Sequence, residues 1–316
     1  MPAPPSLRQL SYLVELADRL SFRAAAQAHF VTQSTLSAGI KELESVLGVQ
    51  LVERDQHHVR LTAVGEEVVS RSRGILAAAN DLADAARSAA QPLAGPLRFG
   101  TIPTIAPFLL PEILPALRRA HPQLRLYLRE DLTDRLLERL RAGSLDVALI
   151  ALPYDTEGLY VQELFRDELR FVVREDDPVA RHKEIAARRL DPKDVLLLEE
   201  GHCLRGHAIA ACGPRRGTWE SAVEATSLYT LIQMVEGRVG VTLLPEMTLH
   251  GGILKGTRLV ARPLAAPAPS RIVALTARRT SPRLPDVTLL ADFIVEYHRG
   301  AVRPGIPTPR RQAPRA

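Results

Sequence analysis

The chain has 316 residues, 46% hydrophobic and 24% charged, a composition that fits an ordinary globular protein of about two or three domains. No apolar run approaches the roughly 18 residues that a membrane-spanning helix needs, and the N-terminus shows no basic leader followed by an apolar run. We therefore expect a cytoplasmic protein without membrane contact. The net charge of +5 does not by itself indicate nucleic-acid binding, because the five arginines between Arg299 and Ala316 account for all of it. With four prolines, residues 301–316 are predicted to be a disordered basic tail, either a solubilising end or a supplementary contact to DNA or RNA.

The first part of the chain carries the pattern of three short helices followed by two strands. Apolar residues at helical spacing predict the first helix, namely Leu7, Leu10, Leu13, Val14, Leu16 and Ala17. Ser21 is expected to cap the second helix, FRAAAQAHF, and Thr32 the third, QSTLSAGIKELESVLG, which Gly48 ends. The third helix should bury Leu36, Ile40, Leu43 and Leu47. Two short strands should follow, at Val49–Leu51 and Val59–Leu61. This order of elements predicts a winged helix-turn-helix.

The outer face of the third helix presents short hydrogen-bonding and cationic side chains near a capped N-terminus, as a recognition helix presents them to DNA. These residues are Gln33, Ser34, Thr35, Ser37 and Lys41. In and around the turn between the strands lie Arg54, His57, His58 and Arg60. We predict that residues 1–62 bind DNA. The alternative is a generic three-helix core with a polar surface, and charge does not decide between them, because the range holds six basic and six acidic residues.

Residues 63–92 predict a long linker helix and a hinge. From Ala63 to Ala90 there is no proline, and a narrow apolar stripe recurs near 3.5-residue spacing. Its members are Val64, Val68, Ile75, Ala79, Leu82 and Ala86. Such a stripe needs a partner helix, so we predict dimerisation, with packing on the chain's own regulatory domain as the alternative. The break at QPLAGP (91–96) supplies the hinge.

Residues 93–300 alternate short apolar runs with helical stretches. Strands are predicted at 97–102, 124–129 and 146–151, with helices at 107–119 and 134–142 between them, which favours a parallel sheet. Further apolar runs are ELRFVVRE, DVLLLEE, VGVTLLP and RIVALTA. We predict two α/β lobes: lobe I is 93–166 plus 268–300, and lobe II is 167–267. Ligands in such sheets lie beyond the strand C-termini, which places Thr104 and Thr133 at the cleft unless they only cap helices.

Cys203 and Cys212 are the two cysteines of the chain, and they lie in the run EEGHCLRGHAIAAC. If this run is helical throughout, nine residues separate them by about 13 Å along the axis, whereas a disulfide needs Cα atoms within roughly 7 Å. Oxidation would therefore have to refold the segment. A helix N-terminus with His202 and Arg205 beside Cys203 should lower the thiol pKa, while Glu199 and Glu200 act the other way, so the balance stays open. Two inert buried thiols are one alternative, and a metal site that adds His207 is the other.

Two sets of motifs carry a family resemblance. The stretch SFRAAAQAHFVTQSTLSAGIKELESVLGVQLVERDQHHVRLTAVG resembles the N-terminal domain of LysR-type regulators, with QSTLS opening the third helix, then IKELE, LGVQLVER and LTAVG in order. LEEGHCLRGHAIAAC resembles the peroxide-sensing OxyR branch of that family, as do GTIPT with PFLLP, EATSLYTLIQMVEG and GVTLLP. Gly206 departs from the branch, where an acidic residue is common, and GPRRGTWES after Cys212 is basic and glycine-rich.

The resemblance implies an α/β fold with an N-terminal winged helix-turn-helix, a long linker helix and a two-lobed periplasmic-binding-protein-like regulatory domain. It also implies a transcription activator that binds double-stranded DNA as a dimer or a dimer of dimers, with RNA polymerase as a candidate partner and hydrogen peroxide as the signal. Cys203 would be the peroxidatic thiol and Cys212 the resolving one, supported by His202, Arg205, Thr104 and Thr133. We expect no cofactor, no metal and no enzymatic turnover. The rival interpretations are a LysR-type regulator with a small organic anion in the cleft, and a solute-binding component, which leaves residues 1–62 unexplained.

Overall fold

In the computed structural model, which describes residues 4–54, 59–88, 92–213 and 224–300, the chain divides into two units. The first contains the N-terminal helices and the small two-stranded sheet, and the second contains the large sheet with its helices. Two predictions fall outside the described residues: the turn that holds His57 and His58, and the tail 301–316. No helix in the described part of the chain is long and apolar enough to cross a membrane.

The first unit has the predicted helix-turn-helix and wing. Its elements are α1 (Leu7–Arg19), α2 (Phe22–Ala28), α3 (Gln33–Leu47), β1 (Val52–Arg54) and β2 (Val59–Leu61). The hydroxyls of Ser21 and Thr32 accept from backbone amides and cap α2 and α3, and Gly48 ends α3 at φ +70°. The helices meet around a core in which Leu13, Leu36 and Ile40 are fully buried. Burial of each such side chain contributes about 1.5–3 kcal/mol.

Two details of this unit differ from the sequence-based prediction. Leu47 is 37% exposed, because it is the last residue of α3 and lies beyond the helix contacts that cover Leu43. The first strand begins at Val52 instead of Val49. The Glu44 carboxylate accepts the amides of Leu51 and Val52 at 2.9 and 3.1 Å, so side-chain bonds hold the segment that the apolar pattern had assigned to the strand.

The long helix α4 (Ala63–Ser88) follows the wing directly. Val69 is buried in the core of the first unit. The predicted apolar stripe is mostly uncovered within the chain, since Val64, Ile75 and Leu82 are 46%, 49% and 76% exposed. These residues are available to a partner helix, and dimerisation through them stays a prediction.

The second unit is built on a mixed sheet. Its strands are β3 (Gly95–Thr101), β4 (Leu124–Glu130), β5 (Val147–Leu152), β6 (Leu159–Arg174), β7 (Leu197–Leu198), β8 (Glu224–Ala225), β9 (Thr242–Pro245), β10 (Leu259–Pro263) and β11 (Ser270–Arg278). Among the described residues, seven strands form one sheet in the order β10-β6-β11-β5-β3-β4, with β9 also paired to β6. β7 and β8 form a separate parallel pair.

The prediction of a parallel sheet is confirmed for β3, β4 and β5 and is wrong for the rest of the large sheet. β11 runs antiparallel to both β5 and β6, and β9 and β10 run antiparallel to β6. The prediction depended on strand–helix alternation, which is interrupted after β5 and again after β10. At these points β5 leads to β6, and β10 to β11, through short connections without a helix.

The helices of this unit cover two separate hydrophobic cores. They are α5 (Ala106–Ala120), α6 (Thr133–Arg141), α7 (Cys203–Cys212), α8 (Leu228–Glu236), α9 (Glu246–His250) and α10 (Leu284–His298). One core contains Leu136, Ile150 and Ile294, and the other contains Phe171 and Ile232. We call these the lobe I core and the lobe II core.

One strand, β6, belongs to both lobes. Residues 159–168 pair with β11, and residues 169–174 pair with β9 and β10. The predicted change of lobe between 166 and 167 falls inside this strand. Its first half, LYVQELFR, was not predicted as a strand, because charged and polar residues interrupt the apolar run.

Side chains at the start of α10 bind the segment 93–96, which was predicted to be part of a hinge. The amide of Leu93 donates to the Asp286 carboxylate at 2.8 Å, and the buried guanidinium of Arg283 donates to the carbonyls of Ala94 and Pro96 and to Asp286. Arg283 and Asp286 are each 1% exposed. Within the described residues, this segment is therefore anchored to the last helix of the unit.

Candidate redox site

Helix α7 has one cysteine at each end. Cys203 is its first residue and Cys212 its last, so nine residues separate them by about 13 Å along the axis. The two thiols are not joined in a disulfide. Cys203 packs against the lobe I core, whereas Cys212 is 1% exposed within the lobe II core. The predicted helical state, with sulfurs too far apart to bond, is the one observed.

Cys203 lies at the edge of an open pocket of about 590 Å³. The pocket is lined from lobe I by Asp134, Pro153 and Tyr154, and on the other side by residues 200–203 and the outer face of α7. The thiol is half-buried, and a solute in the pocket can approach it.

Burial raises the pKa of the Cys203 thiol. The charge of Arg271, the Thr133 hydroxyl and the backbone amides of Cys203 and Leu204 act in the opposite direction, because each favours the thiolate. The expected influence of the helix N-terminus is therefore present, but desolvation outweighs it. The balance that the sequence left open therefore falls on the side of a raised pKa.

A buried ion pair beneath the thiol was not predicted. Arg271 on β11 and Asp167 on β6 are cross-strand neighbours, with nitrogen–oxygen distances of 3.0 Å. Arg271 also donates to the hydroxyl of Thr104 at 2.7 Å and to its carbonyl at 3.1 Å. Arg271 is fully buried and Asp167 is 3% exposed. A signal existed in the sequence, since charged residues inside buried strands are almost always paired.

The two threonines do not act as helix caps. The Thr104 hydroxyl accepts from Arg271, and α5 begins without a side-chain cap. Thr133 is the first residue of α6 and is 1% exposed; its hydroxyl makes no hydrogen bond of normal geometry to the described residues. It nevertheless lies close enough to Cys203 to favour the thiolate. An unsatisfied hydroxyl beside the thiol leaves room for hydrogen bonding to a small polar solute.

His202 lies near Glu199, and Arg205 bonds to Leu198 and Glu224. His202 is buried just before α7, and burial lowers its pKa more strongly than Glu199, 3.8 Å away, raises it. It is therefore neutral near pH 7. Arg205 donates to the carbonyl of Leu198 and pairs with Glu224 at 3.3 Å. Their support of a peroxide site stays a prediction.

The metal interpretation does not fit the described residues, which contain no cluster of His, Cys, Asp or Glu able to hold an ion. Cys203 and Cys212 are at opposite ends of α7 and cannot share one metal ion. His207 lies one turn after Cys203, and the positive charge of Arg271 acts on its ring and lowers its pKa.

The predicted DNA-binding residues lie mainly on the surface of the first unit. Gln33, Ser34, Thr35 and Lys41 are exposed along α3, whereas Ser37 is half-buried. The hydroxyls of Ser34 and Thr35 contact that of the capping Thr32 at 2.9 and 2.8 Å. Arg60 is exposed on β2, and Arg54 ends β1, with its side chain outside the described part.

Two family models match this chain. Residues 7–66 match the bacterial regulatory helix-turn-helix protein of the lysR family, and residues 90–299 match the LysR substrate binding domain. The second match alone covers more than half of the chain. The chain belongs to the LysR family.

Similar LysR proteins include regulators with different names. The HTH-type transcriptional regulator EstR of Acinetobacter baylyi is 44% identical over 299 residues, covering 93% of this chain and 97% of EstR. A hydrogen peroxide-inducible genes activator of Dickeya chrysanthemi is 37% identical over 292 residues, covering 92% and 95%. A full-length OxyR from Pseudomonas aeruginosa, with a cysteine changed to aspartate, has a TM-score of 0.76 at 37% identity and covers 92% and 95%.

Membership in the LysR family confirms the predicted fold, with its N-terminal helix-turn-helix and its α/β regulatory domain on a mixed sheet. This LysR protein is a DNA-binding transcription regulator. The roles of individual residues in DNA binding stay predictions.

Proposed function

We propose that this LysR-family protein is a hydrogen-peroxide sensor that activates transcription when Cys203 and Cys212 form a disulfide. The observation that carries the proposal is helix α7 itself, with a pocket-lining thiol at its start and a second thiol, not in a disulfide, at its buried end. Similarity to OxyR proteins over more than nine-tenths of the chain supports it.

The proposed chemistry has two steps. The Cys203 sulfur attacks one oxygen of peroxide, so that an S–O bond forms, the O–O bond breaks, and the second oxygen leaves with the thiol proton as water. The Cys212 sulfur then attacks the sulfenic sulfur, forming the S–S bond and releasing a second water. Overall, one peroxide is reduced and two thiols are oxidised. The Thr104–Arg271 pair and the Thr133 hydroxyl beside Cys203 would hold the peroxide.

The second step requires α7 to unwind. A disulfide needs Cα atoms within about 7 Å, and the helix keeps them about 13 Å apart. Cys212 is also part of the lobe II core, so bringing it to Cys203 would remove it from that core. This coupling of a covalent bond to a change of packing supports a two-state switch in the regulatory unit.

In this proposal residues 1–62 bind promoter DNA, residues 63–92 join two copies through the exposed stripe of α4, and residues 93–300 sense the signal. A pair of such dimers would read two half-sites, and refolding of α7 would change their spacing on DNA or their contact with RNA polymerase. A cytoplasmic location fits, because the resting state needs reduced thiols.

Mass spectrometry of the 199–216 region after a brief, sub-stoichiometric dose of peroxide tests the proposal. We expect a Cys203–Cys212 disulfide in the wild type, a trapped sulfenic acid on Cys203 in C212S, and neither in C203S. Promoter activation by peroxide should disappear in C203S. A normal response of C203S to peroxide would overturn the proposal.

A small organic anion in the pocket between the lobes is the second candidate signal. The pocket volume of about 590 Å³ and the 44% identity to EstR, whose name does not mention peroxide, favour it. Thermal-shift screening with and without peroxide separates the two. A shift with an anion, unaffected by C203S, supports this second function.

A further inference from the structure

His207 is a buried polar residue that the proposed function does not use. It lies inside α7 and is 8% exposed. Neither of its ring nitrogens makes a hydrogen bond of normal geometry to the described residues. A buried imidazole without such partners costs stability, and its presence in a buried helix face therefore calls for an explanation.

The helix places His207 beside Cys203. Residues four apart on a helix lie on the same face, with Cβ atoms about 5–6 Å apart. Both residues line the same pocket, and the charge of Arg271 acts on both side chains. The imidazole and the thiol therefore occupy one buried polar environment at the edge of the pocket.

The carbonyl of Pro153 lies beside the imidazole. It lies near enough to His207 to stabilise a proton on the ring, although the contact is not a hydrogen bond of normal geometry. A proton held on the nitrogen that faces a carbonyl leaves a lone pair on the other nitrogen. That second nitrogen can accept a proton, since it has no hydrogen-bond donor among the described residues.

The two groups have complementary proton states. Burial raises the pKa of the Cys203 thiol, which therefore keeps its proton near pH 7. Burial and the charge of Arg271 lower the pKa of His207, which is therefore a neutral imidazole at the same pH. The other titratable groups that line the pocket among the described residues are Tyr154 after β5, Asp134 on α6, Glu200 and His202 before α7, and Arg205 on α7. His202 is itself neutral near pH 7, and Asp134 bonds to Tyr154.

We propose that His207 relays the proton during oxidation of Cys203, taking it from the thiol as sulfur attacks peroxide and giving it to the oxygen that leaves. The balance is one thiol and one peroxide to one sulfenic acid and one water, and the imidazole is unchanged at the end. This inference rests on the proposed function. It assigns His207 a role that neither spacing nor composition had suggested.

The test compares H207Q with the unchanged His207, in both cases in the reduced full-length protein. Both proteins also carry C212S, which stops the reaction at the sulfenic acid; the one that keeps His207 is called the wild type below. Glutamine fills similar space but takes no proton. We expect the second-order rate of sulfenic acid formation at pH 7.5 to fall on the order of 10²-fold. Below the raised pKa of Cys203, the H207Q rate should follow the thiolate fraction and fall steadily as the pH drops, because only the thiolate then reacts. The wild-type rate should instead stay nearly constant between the lowered pKa of His207 and the raised pKa of Cys203.

H182Q is the matched control, because His182 is an exposed histidine of the same lobe and should react like the wild type. H207A with added imidazole is a second variant, and recovery of the rate with imidazole supports the relay. If substitution at 207 prevents folding, the wild-type profile still decides, since a wild-type rate that rises in proportion to the thiolate fraction from pH 7 to pH 9 overturns the relay.

The outcomes separate the two proposals. If the wild type forms sulfenic acid and H207Q forms it at the same rate with the same pH profile, the relay is wrong and peroxide sensing stands. If the wild type does not react with peroxide, the proposed function is wrong. In that case, the rate at which iodoacetamide alkylates Cys203 shows whether His207 activates the thiol. Equal alkylation rates in the wild type and H207Q would overturn the role of His207 as well.

Discussion

A methyl group added at Gly206 should make the disulfide easier to reduce. Gly206 is an exposed interior residue of α7, and a Cβ built on it meets no atom within 4 Å. Alanine is more favourable than glycine in a helix by about 1 kcal/mol. If the disulfide form lacks the helix, the substitution stabilises only the reduced form. For a two-electron couple, this raises the reduction potential by about 20 mV, since about 30 mV corresponds to 1.4 kcal/mol.

G206A should also slow the formation of the disulfide. If α7 is unwound when Cys212 attacks the sulfenic acid, a helix that is more stable by about 1 kcal/mol slows this step about fivefold. The step can be followed by trapping thiols with an alkylating reagent after a peroxide pulse. The potential is measured by equilibration with glutathione buffers and mass spectrometry of the Cys203–Cys212 peptides.

Gly74 provides a control of the same chemistry elsewhere. It lies in α4, and no atom is within 4 Å of the position that an added methyl group would occupy, so G74A adds similar helix stability outside the switch. We expect G74A to leave the potential unchanged. If G206A stabilises the reduced protein against urea but keeps the wild-type potential and resolving rate, disulfide formation does not cost the helix and the reasoning is refuted.

Three further predictions concern charge. R271M should lower the free energy of unfolding by about 3–5 kcal/mol in urea denaturation, because it leaves the buried Asp167 unpaired; D167N added to it should restore part of the loss, and an undiminished loss would contradict the pairing. In the folded protein the pKa of Cys203 is raised above its ordinary value of 9.0, so the free energy of unfolding of the reduced protein should fall as the pH rises above 9.0. C203S should reduce that fall. An equal fall in both proteins would contradict the burial of the thiol. K41A should weaken binding to all DNA sequences and reduce the salt slope of affinity by about 1 in anisotropy titrations, whereas a loss confined to one sequence would indicate a base contact instead.

The sequence was sufficient where local chemistry determines the structure. Ser21 and Thr32 cap helices as predicted, because a hydroxyl at that position satisfies an otherwise unpaired amide whatever the rest of the chain does. The helical run between Cys203 and Cys212 was likewise foreseeable from its composition. The distance between the two thiols then follows from the helix rise alone.

Features that depend on distant parts of the chain were missed. Arg271 and Asp167 are 104 residues apart, and only the return of β11 beside β6 brings them together. The sign of the Cys203 pKa shift depends on how deeply the lobe I core covers the thiol, which adjacent residues do not reveal. The antiparallel pairing of β6 with β9, β10 and β11 was missed for the same reason, because it joins strands that are far apart in the chain.

The continuity of β6 limits how the regulatory unit can move. β6 is hydrogen-bonded to β11 in lobe I and to β9 and β10 in lobe II. A wide separation of the lobes would therefore have to bend this strand or break some of its backbone hydrogen bonds. A signal created by remodelling one short helix at its flank therefore suits this framework better than one that requires wide closure around a ligand.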